Sequence, residues 1–202
     1  MGAPMIPLVD LLQEIRACSR CDLPLGPNPV LRASATAGLL IIGQAPGTKV
    51  HASGIPWDDA SGKRLRGWLA MTPETFYDES RIAIVPMAFC YPGKGPSGDA
   101  APPSVCSETW HEALLEQMPN LHTTLLVGRY AQERYLPGQG RTLTERVERW
   151  RGWAPRTWPM PHPSPRNQRW FRNHPWYEQE LLPALREHLA GHGFEQHIEE
   201  PA

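Results

Sequence analysis

Residues 39–47 read Leu-Leu-Ile-Ile-Gly-Gln-Ala-Pro-Gly, and no other stretch restricts the fold so strongly. Four branched apolar residues in a row, with Gly38 before them and a Gly-x-x-Pro-Gly turn after them, describe a strand buried on both faces. Gly43 and Gly47 let a ligand approach the backbone closely, while Pro46 fixes one φ angle and withholds an amide. In an open α/β sheet, ligands sit beyond the carboxyl ends of the strands, where this turn falls. An ordinary strand-to-helix turn has the same composition, so the turn alone does not define a site.

Strands and helices alternate along the rest of the chain. Further strands are predicted over Arg81–Phe89, with Ile82 to Val85 as the apolar body, over Leu121–Val127 and over Arg156–Met160. Leu8, Leu11, Leu12 and Ile15 give Pro7–Ala17 helical spacing. Helices are also predicted from Gly62 to Ala70, capped by Ser61 or Asp59, at Thr72–Pro73, from Ser107 as a cap to Met118, at Tyr130–Leu136, at Thr142–Trp150, and from Pro175 to a stop at Gly191. Leu23–Pro29 and Tyr91–Ser104 are predicted loops, and Thr48–Ser61 is polar and glycine-bearing. The pattern implies an α/β fold, a three-layer αβα sandwich around a central, mostly parallel four-stranded sheet. The 202 residues suit a single domain over residues 1–193, with residues 194–202 expected as a disordered tail.

A net charge of -1 leaves no global basic footprint, so contact with nucleic acid requires a local patch. No apolar run approaches the roughly 18 residues of a membrane span, and the N-terminus lacks a signal-peptide pattern. A cytoplasmic monomer that does not engage membranes is expected. The 23 prolines imply long ordered loops, and 8 tryptophans exceed what a core of this size needs, so some are expected to face a ligand.

All four cysteines fall in two pairs, Cys18-x2-Cys21 and Cys90-x15-Cys106, each in loop-forming sequence. Cytoplasmic disulfides are rare, which leaves a zinc site with four thiolate ligands, an iron–sulfur cluster, or four unrelated buried thiols. Spacing does not choose iron over zinc. A second constellation is His162-Pro-Ser-Pro-Arg-Asn167, which joins a titratable donor to a rigid prolyl frame and to groups suited to phosphate. A stiff surface loop with a solvated arginine has the same letters. Basic residues thicken nearby, at Arg166, Arg169 and Arg172, with Lys63, Arg64 and Arg66 after the first turn, a distribution that favours an anionic ligand.

With these residues in view, Gly43-Gln-Ala-Pro-Gly47 resembles the first motif of the uracil-DNA glycosylase superfamily, and His162-Pro-Ser-Pro-Arg-Asn167 resembles the second. Gly54-Ile-Pro-Trp57 and Ser61-Gly-Lys-Arg-Leu65 are similar to segments of its family 4 branch, and the resemblance runs from about Cys18 to Leu189. It implies that Cys18, Cys21, Cys90 and Cys106 bind a [4Fe-4S] cluster, with structural zinc as the alternative. It further implies a DNA glycosylase that excises uracil or another deaminated base from DNA by hydrolysing the N-glycosidic bond in base excision repair. On that reading His162 donates to the departing base, the amides of Gln44 and Ala45 hold base or water, Trp57 stacks on the base, Gly47 and Pro86 line its pocket, and Ser164, Arg166 and Asn167 meet DNA phosphates.

Two departures stand out. The first motif holds no carboxylate to orient water, which supports the alternative of a non-catalytic binder of damaged bases or single-stranded DNA; Asp58 and Asp59 are the nearest substitutes. Pro86 occupies the position that resembles the family's base-reading asparagine. The Lys-Arg-Arg-Ile-His insertion of members that bind uracil covalently is absent, which argues against a suicide-type crosslinker. An enzyme of free nucleotides finds no support in a P-loop or a dinucleotide fingerprint.

Overall fold

The computed structural model describes residues 6–96 and 98–194. In chain order the elements are α1 (Leu8–Arg16), β1 (Leu39–Ile42), α2 (Thr48–Ser53), α3 (Ala60–Leu69), α4 (Pro73–Phe76), β2 (Ile82–Ile84), β3 (Lys94–Gly95) and β4 (Gly98–Asp99). There follow α5 (Val105–Thr109), α6 (His111–Glu116), β5 (Thr123–Val127), α7 (Arg129–Tyr135), α8 (Leu143–Glu148), β6 (Thr157–Met160), α9 (Gln168–Asn173) and α10 (Leu182–Gly191). None of the described helices is long and apolar enough to cross a membrane.

The main sheet has the order β2-β1-β5-β6, and every pairing in it is parallel. Leu39 pairs with Ile82 on one side and Thr123 on the other, so β1 is central, and all four of its residues are buried. Successive strand residues point to opposite faces. Leu39 and Ile41 therefore join Leu65, Leu69, Leu185 and Leu189 from α3 and α10, while Leu40 and Ile42 join Leu11, Ile15 and Leu114 from α1 and α6. Helices thus cover both faces, and the αβα sandwich expected from the alternation is the fold found.

Neither margin of this sheet presents a free row of amides. Outside β2, Arg32 makes a two-way backbone bridge with Ile84, at 2.9 and 2.8 Å. At the other margin, Arg156 and Met160 turn their carbonyls toward β5, leaving Thr157 and Pro159 facing out. The Thr157 amide is bonded to the Trp153 carbonyl, and Pro159 has no amide to offer, which is why proline is tolerated there.

Several expected boundaries moved, each for a local reason. Thr48–Ser53, to which the sequence assigned no element, is helical and ends at Gly54, whose φ of 68° suits a helix stop. The second strand ends at Ile84 instead of Phe89, because Pro86 cannot continue the ladder; the amides of Met87 and Ala88 bond instead to the carbonyls of Gly43 and Gln44. Ser107 is not a cap: its hydroxyl donates to the Ser104 carbonyl inside α5, and the expected single helix to Met118 breaks at Trp110. The 91–104 loop contains the small antiparallel pair of β3 and β4. Residues 168–173 form the unanticipated α9, and the last helix is split by a π-turn at Tyr177–Leu181, just before Pro183 removes an amide from the ladder. Phe194, placed in the tail by the sequence reading, is buried in the core; the remainder of that tail, 195–202, lies outside the described residues.

Candidate active site

The chain passes from β1 to β2 on one side, and β5 lies against β1 on the other, so the strand order reverses at β1. That reversal opens a crevice at the carboxyl ends of β1 and β5. The turn 43–47 sits on it. Gly128, at the end of β5 with φ of 90°, leaves room for the Gln44 side chain, since a Cβ there would come within 2.8 Å of Nε2. Gln132 of α7 donates to the Met160 carbonyl at 2.8 Å and so fixes the end of β6, two residues before His162.

Gln44, Ala45, Gly47, Trp57, Pro86 and His162, which the sequence marked from four separate stretches, all line one cavity of about 50 Å³. Among the described residues, no partner takes the amide hydrogens of Gln44 and Ala45. Trp57 lies between the Gly43 backbone and His162, with its ring centroid 5.7 Å from the imidazole. Its φ of 58° is left-handed, a costly conformation for a bulky residue. Arg66 holds it there, donating to the Trp57 carbonyl at 3.3 Å and to the Tyr77 hydroxyl at 3.1 Å, and Gly62 gives that carbonyl the space it needs. Arg66, expected among the cations open to a ligand, is therefore a brace.

Protein packs closely around His162, although part of its ring remains accessible at the pocket mouth. Burial pulls its pKa down to about 4, against the opposing pull of Asp59 and Asp99, so the imidazole is neutral near pH 7. Asp59 lines the same cavity while capping α3, its Oδ1 accepting from the Gly62 amide at 2.8 Å. Asp58 is exposed and acts electrostatically on Tyr77.

A wider groove of about 500 Å³ continues from His162 past Ser164, Arg166, Asn167, Lys49 and Lys94. Ser164 and Asn167 are occupied within their own loop: the Ser164 hydroxyl accepts from the Arg166 amide at 3.2 Å, and Asn167 Nδ2 donates to the His162 carbonyl at 2.8 Å. Arg64 reaches the Ser164 carbonyl at 3.3 Å and lies over Phe171. Lys94 pairs with Asp99 at 3.3 Å on the exposed hairpin.

One part of the pocket was not legible from the sequence. His111 Nε2 lies 3.0 Å from the Pro86 carbonyl, and its Nδ1 lies 2.6 Å from the Tyr135 hydroxyl. Burial takes the His111 pKa down to about 4, so the neutral ring donates to Pro86 and accepts from Tyr135. Helix spacing alone gave no sign that residues from α6, α7 and the end of β2 would meet.

The four cysteines line a separate small void of about 20 Å³, together with Ala88 and Phe89. The Phe89 amide points to Cys106 Sγ at 3.5 Å. Burial pushes the Cys106 thiol up to about 11, and it raises Cys90 as well, helped in both by the neighbouring thiols. Four thiols lining one void are a donor set of the kind a thiolate-binding cation uses, and its charge would offset the burial that opposes ionisation of Cys90 and Cys106.

The fold and the geometry define an open α/β protein with an aromatic-walled, cation-rimmed pocket at its switch point. The sequence model of the Uracil DNA glycosylase superfamily matches residues 32–186, and the chain belongs to that superfamily. Both pocket loops lie inside the matched span; Cys18 and Cys21 precede it.

Proposed function

We propose that this protein is a DNA glycosylase that removes uracil or another deaminated base from DNA. The observation that carries the reading is the convergence of neutral His162, the unpaired Gln44 and Ala45 amides and Trp57 on one pocket, at the head of a groove edged by Lys49 and Arg166. Chemistry on a base requires taking it out of the stack, and an aromatic wall supports the extruded ring by roughly 1–3 kcal/mol. As the N-glycosidic bond breaks, its electrons leave with the base and the sugar becomes oxocarbenium-like. His162 and the turn amides stabilise the base anion; water adds to C1′ and releases a proton, and the base is protonated on leaving.

The reading extends to the family 4 branch, with Cys18, Cys21, Cys90 and Cys106 holding a [4Fe-4S] cluster. When bound, the cluster supplies a four-point cross-link and takes no part in hydrolysis. The donor set supports it, as does the tie from this void through residues 87–89 to the turn at Gly43. Absence of a carboxylate from residues 43–47 favours a second reading, a binder that keeps the pocket without the chemistry.

Incubation with single-stranded DNA containing uracil, followed by alkali, separates the two. Strand cleavage at the uracil is expected, and His162→Ala should slow it by at least about tenfold. Binding with no abasic product from any deaminated base would establish the second reading.

A further inference from the structure

At the opposite end of the sheet, where β5 begins, three histidines meet that the pocket does not use. His122 immediately precedes β5; His188 lies in the last turn of α10, and His192 follows its end. One ring nitrogen of each lies within 4.8 Å of the other two. Ring centroids are 4.1 Å apart for His122 and His192, and 4.5 Å for His188 and His192. His192 follows His188 at i+4, a spacing that places both rings on one side of the helix end.

Two further features prepare the group. Thr123 Oγ1 lies 2.9 Å from His122 Nδ1 and 2.7 Å from His188 Nε2. If both nitrogens donate to that oxygen, His122 Nε2 and His188 Nδ1 are left with free lone pairs, and a hydrogen bond from the opposite ring nitrogen is what fixes the orientation of ligating histidines. Gly38 makes room for the first ring, since a Cβ there would fall 2.5 Å from His122 Nε2. The carbonyl end of α10 adds negative potential.

We propose that His122, His188 and His192 bind a divalent transition-metal ion of the zinc class, clipping the end of α10 to the leading edge of β5. An all-imidazole donor set selects zinc, copper, nickel or cobalt over magnesium or calcium. Nitrogens sharing one zinc are about 3.3 Å apart, given Zn–N bonds near 2.0–2.1 Å, so the rings must draw in. His192 is exposed and free to make that movement. Water completes the coordination from the solvent side.

The test uses the protein as purified, with whatever its cysteines hold left in place. Zinc titration by calorimetry should find one additional ion, and zinc should raise Tm. Because His192 is exposed, His192→Ala will fold; it should weaken that binding by at least about tenfold, remove the Tm rise and leave base excision unchanged. Cobalt should give visible d–d bands without thiolate charge transfer. Equal zinc affinity in wild type and His192→Ala, or thiolate bands accompanying cobalt uptake, would overturn the proposal.

Discussion

On the proposed reading His162 acts as a donor in its neutral form, and its depressed pKa keeps it neutral far below physiological pH. Replacing it with alanine should slow single-turnover excision by at least about tenfold, equivalent to roughly 1.4 kcal/mol of barrier, while binding to abasic product changes much less. An unchanged rate would leave His162 a loop residue. Pro86 makes a different point. It lines the pocket without a side-chain donor or acceptor, and its carbonyl is held by His111. Selectivity on oligonucleotides carrying uracil, hypoxanthine, xanthine or cytosine is therefore expected to be broad, and Pro86→Asn should sharpen it toward uracil. Activity of the wild type confined to uracil would refute that expectation. The sequence exposed His162 and Trp57 through their motifs. It concealed Arg66 and His111, whose roles depend on partners that only folding brings near.

At the level of elements, the four strands were legible because apolar runs bounded by glycine, proline and charge have few alternatives. The segments that escaped are short and polar: α2 and α9 hold six residues each, too few to display a periodic apolar stripe, and the β3–β4 pair is two residues deep. The segment 86–90 joins the two functional regions. Pro86 borders the pocket, the next two amides bond to the turn, and Cys90 reaches the thiol void. Purified protein is expected to be brown, with iron and sulfide at cluster stoichiometry; a colourless, zinc-only preparation would refute the cluster. Cys18→Ala should reduce soluble yield more than it alters the excision rate of the folded fraction, and undiminished yield would show that this brace is dispensable.

For the molecule as a whole, His111 and His162 set an acid limit. Both have folded-state pKa values near 4 against an ordinary 6.5. Between those values the unfolded chain takes up protons that the folded chain refuses, so stability falls as pH drops through this window and is regained above it. Each pKa unit corresponds to about 1.4 kcal/mol, so the two histidines together should cost several kcal/mol near pH 4. Denaturant midpoints measured from pH 7 downward test this, and His111→Gln should flatten the decline.

Pro159 has a consequence for life at high concentration. A parallel strand at the rim of a sheet is a template onto which another chain can be added, through a row of unclaimed donors. Here the outward positions of β6 present Thr157, whose amide is already bonded, and a proline, which has none; the far rim is occupied by Arg32. An incoming strand finds no free outward amide on β6 to pair with. Pro159→Val restores one outward donor, and the folded variant should scatter more light than the parent on prolonged warm incubation, because aggregation that the imino acid suppresses becomes available to it.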